Sequence, residues 1–213
     1  MTTEKQALLF VETEPGSHVS VEDFHEWYDT EHVPLRLGFP EILTATRYKS
    51  LTAPYRPGWL ATYSIADKAV FESEKYTGLR TNRSKREGEL IRRIGILDRR
   101  IYLTKEESSP VVPSQSAEIV VAFETGSDEV AKSHFQLAKD EFKGDSQWIR
   151  STLYDLTDGS IVGLDKQEVA PAQRFLVLHQ FRGQDYQQSE IFKNIAGKGI
   201  LKEWGLYRNW ETR

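Results

Sequence analysis

A tyrosine, a glutamate and a histidine stand within five positions of one another: Tyr28, Glu31 and His32, in the run FHEWYDTEHVP over residues 24–34. An imidazole titrates near neutral pH, so it can accept and return a proton during a reaction. A neighbouring carboxylate can orient the ring and raise its basicity, and a phenol one turn earlier can donate a hydrogen bond to a carbonyl or enolate oxygen. At about 100° per residue, Val21, Phe24, Tyr28, His32 and Leu35 share one helical face, with Glu31 and His25 at its edges. Burying such groups costs free energy unless they are paired or used. His32 is the acid–base candidate, Glu31 its orienter and Tyr28 the hydrogen-bond donor; a core histidine and an ordinary ion pair of Glu31 with Arg36 or Arg47 are the alternatives. Candidate substrate-binding residues are His25 at the pocket mouth, Trp27, Phe39 and Trp59 as walls, and the strand residues Arg47, Tyr48 and Tyr63. Strand alternation sends Arg47 and Tyr48 to opposite faces, so at most one of them faces any cavity.

Other chemistries find less support. His25, Glu31 and His32 have the residue types of a two-histidine, one-carboxylate metal site. The two histidines lie seven residues apart, about 10 Å of helical rise, whereas ligands on one helix usually stand four apart. No Gly-rich phosphate loop, G-x-S-x-G elbow or H-E-x-x-H is present. Neither a metal nor an organic cofactor is therefore expected. With no cysteine among 213 residues, disulfides, thiolate ligands and a thiol nucleophile are excluded. A formal net charge of −4 argues against general affinity for nucleic acid. The start MTTEKQALLF lacks the pattern of a secretory signal, and no apolar run reaches the roughly 18 residues of a membrane span. The expectation is a cytoplasmic protein whose partner is a small molecule, not nucleic acid or membrane.

The elements that must position these residues follow from periodicity. Residues 6–13 form a strand, Ser20 caps a helix that Pro34 ends, and residues 43–51 and 59–65 form two further strands. A second helical region over 67–94 is interrupted near Gly78 and Gly88, and 97–104 is a fourth strand. This is the β-α-β-β-α-β order of a ferredoxin-like unit. The Pro- and Ser-rich residues 106–117 read as a linker. The pattern then restarts with a strand over 118–125, a helix over 128–142, a strand over 148–156 and a long loop. A strand over 174–181, a short helix over 186–196 and a strand over 206–210 complete it.

The triplets Val11-Glu12-Thr13 and Phe123-Glu124-Thr125 align at an offset of 112, each closing a first strand, which points to duplication. Carried through the helix, that offset places Lys139, Asp140 and Lys143 opposite Trp27, Tyr28 and Glu31, and Gly144 opposite His32. The first unit (1–105) then bears the site and the second (118–213) is degenerate. One ferredoxin-like sheet leaves an apolar face bare, and two units in one chain can cover it for each other. The expected class is α+β: two ferredoxin-like repeats forming an internal dimeric α/β barrel, monomeric as a pseudo-dimer or paired as a homodimer.

The match of Phe24, Trp27, Tyr28, His32 and Pro34 to F-x-x-W-Y-x-x-x-H-x-P, with the strand ending in Arg47-Tyr48, resembles the EthD-like branch of the dimeric α/β-barrel superfamily. The second unit is similar in fold only, as in tandem members. The resemblance implies a pocket between sheet and helices. It also implies a cofactor-independent lyase or cyclase acting on a hydrophobic, oxygenated molecule such as a polyketide, with the helix histidine as acid–base. A cofactor-free oxygenase of anthrone or quinol type, a non-enzymatic binding or stress protein, and a haem enzyme using His134 or His179 are the other outcomes it allows.

Overall fold

The computed structural model describes residues 6–52, 56–108, 117–183, 185–193 and 197–210. Eight strands close into one antiparallel barrel in the order β1-β3-β2-β8-β5-β7-β6-β4. They are β1 Ala7–Glu14, β2 Ile42–Ser50, β3 Trp59–Ile65, β4 Ile96–Glu107, β5 Ile119–Thr125, β6 Trp148–Val162, β7 Phe175–Phe181 and β8 Ile200–Trp210. Each half has the strand order of a ferredoxin-like unit, 4-1-3-2, and the halves meet at two seams, β4 with β6 and β2 with β8. The expected fold class is the one observed.

Strand length is where the structure departs most from local reading. β4 runs on through Glu106 and Glu107, placed in the linker above, because these residues pair with Leu153 and Thr152. β6 continues through the expected loop to Val162, which pairs with Leu97. β8 begins at Ile200 rather than at residue 206. All three extensions lie at the seams, where the hydrogen-bond partner comes from the other half. Residues 109–116 of the expected linker and 194–196 of the expected last helix lie outside the described residues.

Helices cover the outer sheet faces. In the first half these are α1 Val21–Trp27, α2 Val33–Leu37, α3 Glu74–Thr81 and α4 Lys85–Arg93; in the second, α5 Asp128–Glu141 and the short α6 Glu190–Lys193. The second helical region is not broken at Gly78 or Gly88. Ser73 and Ser84 each accept a backbone N–H three residues on, starting α3 and α4 as separate helices.

The barrel interior holds apolar side chains, among them Leu8, Phe10, Tyr48, Leu60, Tyr102 and Trp204, and a buried ionic cluster. Arg100 of the first half bonds Glu124 of the second at 2.8 Å, and Lys202 of the second bonds Glu12 of the first at 2.9 Å. Arg100 also reaches Glu12 at 3.0 Å, and Lys202 lies 2.8 Å from Glu124. Glu12 and Glu124 are the centres of the two repeated triplets. The repeated sequence marks the point where the halves exchange charges.

Candidate functional site

The helix carrying Tyr28 and His32 is not a plain α-helix. The Ser20 hydroxyl accepts the Asp23 N–H at 3.1 Å and starts α1 as expected. Over Tyr28–His32 the coil widens into a π turn, closed by the Val33 N–H bonding back five residues to the Tyr28 carbonyl. The helix then resumes as α2 and runs past Pro34 to Leu37, rather than ending at the proline. A wide turn just before a proline accommodates the ring that a continuous α-helix would clash with. The extra residue shifts the phase: Val21 and Leu35 are exposed, while Phe24, Trp27, Tyr28, His32 and Val33 are buried.

His32 is 7% exposed, and its Nδ1 lies 2.9 Å from Oε1 of Glu87, itself 4% exposed. Glu87 sits in the first turn of α4, where its N–H donates to the Ser84 hydroxyl at 2.9 Å. The ring centroids of Trp27 and Tyr28 are 4.3 and 5.0 Å from that of His32. Burial, reinforced by the positive field of Arg36, Arg47 and Arg83, holds the His32 pKa well below its ordinary value. A neutral ring with its proton on Nδ1 donates to the acceptor-only carboxylate and keeps a basic lone pair on Nε2. Glu87, not Glu31, is thus the carboxylate against His32; Glu31 is half-buried one residue away along the turn.

Glu87 also lines a cavity of about 330 Å³ bounded by Leu35, Glu74, Lys75, Gly78, Leu79, Asn82 and Ser84. That volume is at the lower end of small-molecule sites. Behind the pair, three buried donors have no hydrogen-bond partner among the described residues: Trp27 Nε1, Tyr28 Oη and Tyr63 Oη. Burial pushes the pKa of both phenols up, so they remain protonated donors at neutral pH. Orphaned donors in a folded layer call for an explanation, and a missing acceptor is one.

Arg47 is 1% exposed and faces this layer, its guanidinium carbon 4.2 Å from the Tyr28 ring centre. It donates to Asp29 at 3.1 Å and to His25 Nδ1 at 3.0 Å. Because a guanidinium only donates, His25 Nδ1 is the acceptor and its ring is neutral; burial and Arg47 lower its pKa. His25 packs between Trp59 and Tyr207 of β8. His25, Arg47 and Trp59 therefore form a node at the β2–β8 seam. Phe39 packs on Tyr76, with Lys75 of the cavity wall 4.5 Å from its ring centre. Tyr48 points to the other face, into the barrel interior and away from His32, as strand alternation requires.

Among the described residues no group of three or more histidine, aspartate or glutamate side chains is placed to hold a metal. His25 and His32 are spent on different partners. In the second half, His134 Nε2 and His179 Nε2 lie 3.1 Å apart, occupied with each other, which does not fit an axial haem ligand.

Glu87 is the residue that local reading missed, as part of a basic, solvated helix. Its signal was present: Ser84 and Glu87 have capping-box spacing, and Glu87 shares the stripe of Leu90 and Ile94.

No protein-family model and no curated protein matches the chain. Solved structures do. An anthrone oxidase-like protein superposes with a TM-score of 0.57 at 8% identity, over 99% of this chain and 94% of that one. A presumptive monooxygenase from Fusobacterium nucleatum gives 0.58 at 9% identity over 99% and 96%. A presumptive chlorite dismutase gives 0.56 at 10% identity, over 96% of each chain. At such identities the likeness is one of fold, and that fold is the dimeric α/β barrel, built here within a single chain.

Proposed function

We propose that the chain is an enzyme that removes a proton from a hydrophobic, oxygenated small molecule, with His32 and Glu87 as the acid–base pair. The observation that carries this reading is the buried 2.9 Å contact between them at the wall of the cavity. The ligand body occupies the cavity, its acidic C–H or O–H lies at the pair, and its oxygens accept from Tyr28, Tyr63 and Trp27. Donors aimed at a developing enolate or phenolate lower the barrier to deprotonation. Completion as a cyclisation, dehydration or decarboxylation makes the protein a cofactor-independent lyase or cyclase, consistent with the EthD-like helix motif. The name of the anthrone oxidase-like neighbour favours a second reading, in which the same carbanion meets oxygen.

Exchange of the C10 hydrogens of anthrone in D2O under nitrogen tests the shared first step. The protein should accelerate exchange over buffer, and His32→Gln should slow it by about 10²-fold or more. Equal exchange by a His32→Gln protein with an unaltered circular dichroism spectrum would end the proposal. Oxygen uptake after admission of air separates oxygenase from lyase, and anthrone binding without exchange points to a binding protein.

A further inference from the structure

The π turn that sets the phase of Tyr28 and His32 has one acidic side chain held from two directions. Asp29 Oδ1 accepts from Arg47 at 3.1 Å, and Asp29 Oδ2 accepts from Arg208 at 2.6 Å. Arg47 belongs to β2 of the first half and Arg208 to β8 of the second, so the grip spans a seam of the barrel. Arg47 is itself fixed, buried between the Tyr28 ring at 4.2 Å and the Tyr207 ring at 5.1 Å, with its remaining nitrogen on His25. A π turn is a rare departure from the α-helix and persists where its surroundings hold it. Relaxation to α geometry would turn His32 by about one residue, roughly 100°, away from Glu87.

We propose that Asp29 is a positioning residue: clamped by Arg47 and the second half's Arg208, it holds the π turn and so keeps His32 on Glu87. The second half then contributes to the site without supplying an acid or base. The functional importance of this role rests on the proton-transfer reading above; the structural claim does not.

A hydrogen-bonded imidazole N–H shielded from solvent gives a downfield proton resonance, assigned here by its loss in His32→Gln. The wild-type chain should show it. Asp29→Asn should abolish it, Arg208→Met should weaken or shift it, and Arg208→Lys should restore it. Glu22→Gln, an exposed change on the same helix, should leave it in place. Retention of the wild-type resonance in Asp29→Asn overturns the proposal. If that variant does not fold, an Arg208→Met spectrum identical to wild type overturns it instead. Absence of anthrone exchange in the wild type, with the resonance present and lost in Asp29→Asn, overturns the catalytic reading and leaves the clamp standing.

Discussion

The helix–sheet layer is built twice in this chain, and the two copies handle their buried polar groups in opposite ways. Tyr63 pairs with Leu9, and His179 pairs with Val121, which lies 112 residues after Leu9, so Tyr63 and His179 occupy equivalent positions. Ala45 and Ser151, opposite them on the next strands, are likewise equivalent. Trp27 lies seven residues after the cap Ser20, and His134 seven after the cap Ser127. In the second half these positions form a closed chain: Trp148 Nε1 to Ser151 Oγ at 3.1 Å, Ser151 Oγ to His179 Nδ1 at 2.8 Å, and His179 Nε2 to His134 Nε2 at 3.1 Å. Indole nitrogen only donates, and every link is satisfied if each group passes its proton bond onward. In the first half Trp27 and Tyr63 carry donors with no acceptor. One layer is complete as it stands, and the other lacks a partner. That contrast places a ligand in the first half more firmly than any single residue does.

The largest test of the contrast uses acid. Burial and the nearby charge of Lys198 lower the His134 pKa from 6.5 to about 4. Between those values the unfolded chain binds a proton that the folded chain refuses. Stability is therefore full above about pH 6.5 and declines as pH falls toward 4, by about 3 kcal/mol for this group. His134→Gln keeps an acceptor for His179 and removes the titration. Urea midpoints at pH 7 and 4.5 should differ less in the variant than in wild type by roughly that amount. An unchanged difference would show that the chain of bonds is not holding a neutral imidazole.

A smaller effect tests the chain at its middle. Ser151→Ala leaves Trp148 Nε1 and His179 Nδ1 without their bonds inside a buried layer, at a cost of about 1–3 kcal/mol in urea unfolding. A neutral result would mean that the second layer tolerates orphans as readily as the first, and the comparison would lose its force.

The sequence made part of this visible. Residue periodicity and the Glu12 and Glu124 triplets were local signals, and they led to the duplicated barrel. The strand extensions of β4, β6 and β8 were not visible, because their partners lie across the seams. Offset 112 holds for the strands and fails in the helix. Six residues, 15–20, join β1 to α1, and two, 126–127, join β5 to α5, so the helices align by their caps at an offset of 107. His134 therefore stands opposite Trp27, not Glu22, and Lys139 is not the counterpart of Trp27. The π turn was hidden for another reason. No residue between Tyr28 and His32 announces it, and Pro34 reads locally as a stop. His32 was nevertheless found, because a histidine on an apolar face is a local signal; its partner Glu87 lies 55 positions away and needed the fold.

The smallest expected effect on stability is also the most discriminating. Tyr63→Phe removes a hydroxyl that already has no partner, so the folded protein loses no hydrogen bond and sheds a buried polar group. Its unfolding free energy should stay within about 0.5 kcal/mol of wild type or rise slightly. Ligand binding should respond in the other direction. If Tyr63 Oη donates to a substrate oxygen, anthrone affinity should fall by about tenfold, the worth of one hydrogen bond of about 1.4 kcal/mol. Stability and affinity would then move apart at Tyr63, whereas at the equivalent His179 a change that breaks the chain lowers stability alone. A clear stability loss in Tyr63→Phe would mean that its hydroxyl already has a partner in the free protein, and the first layer would be as complete as the second.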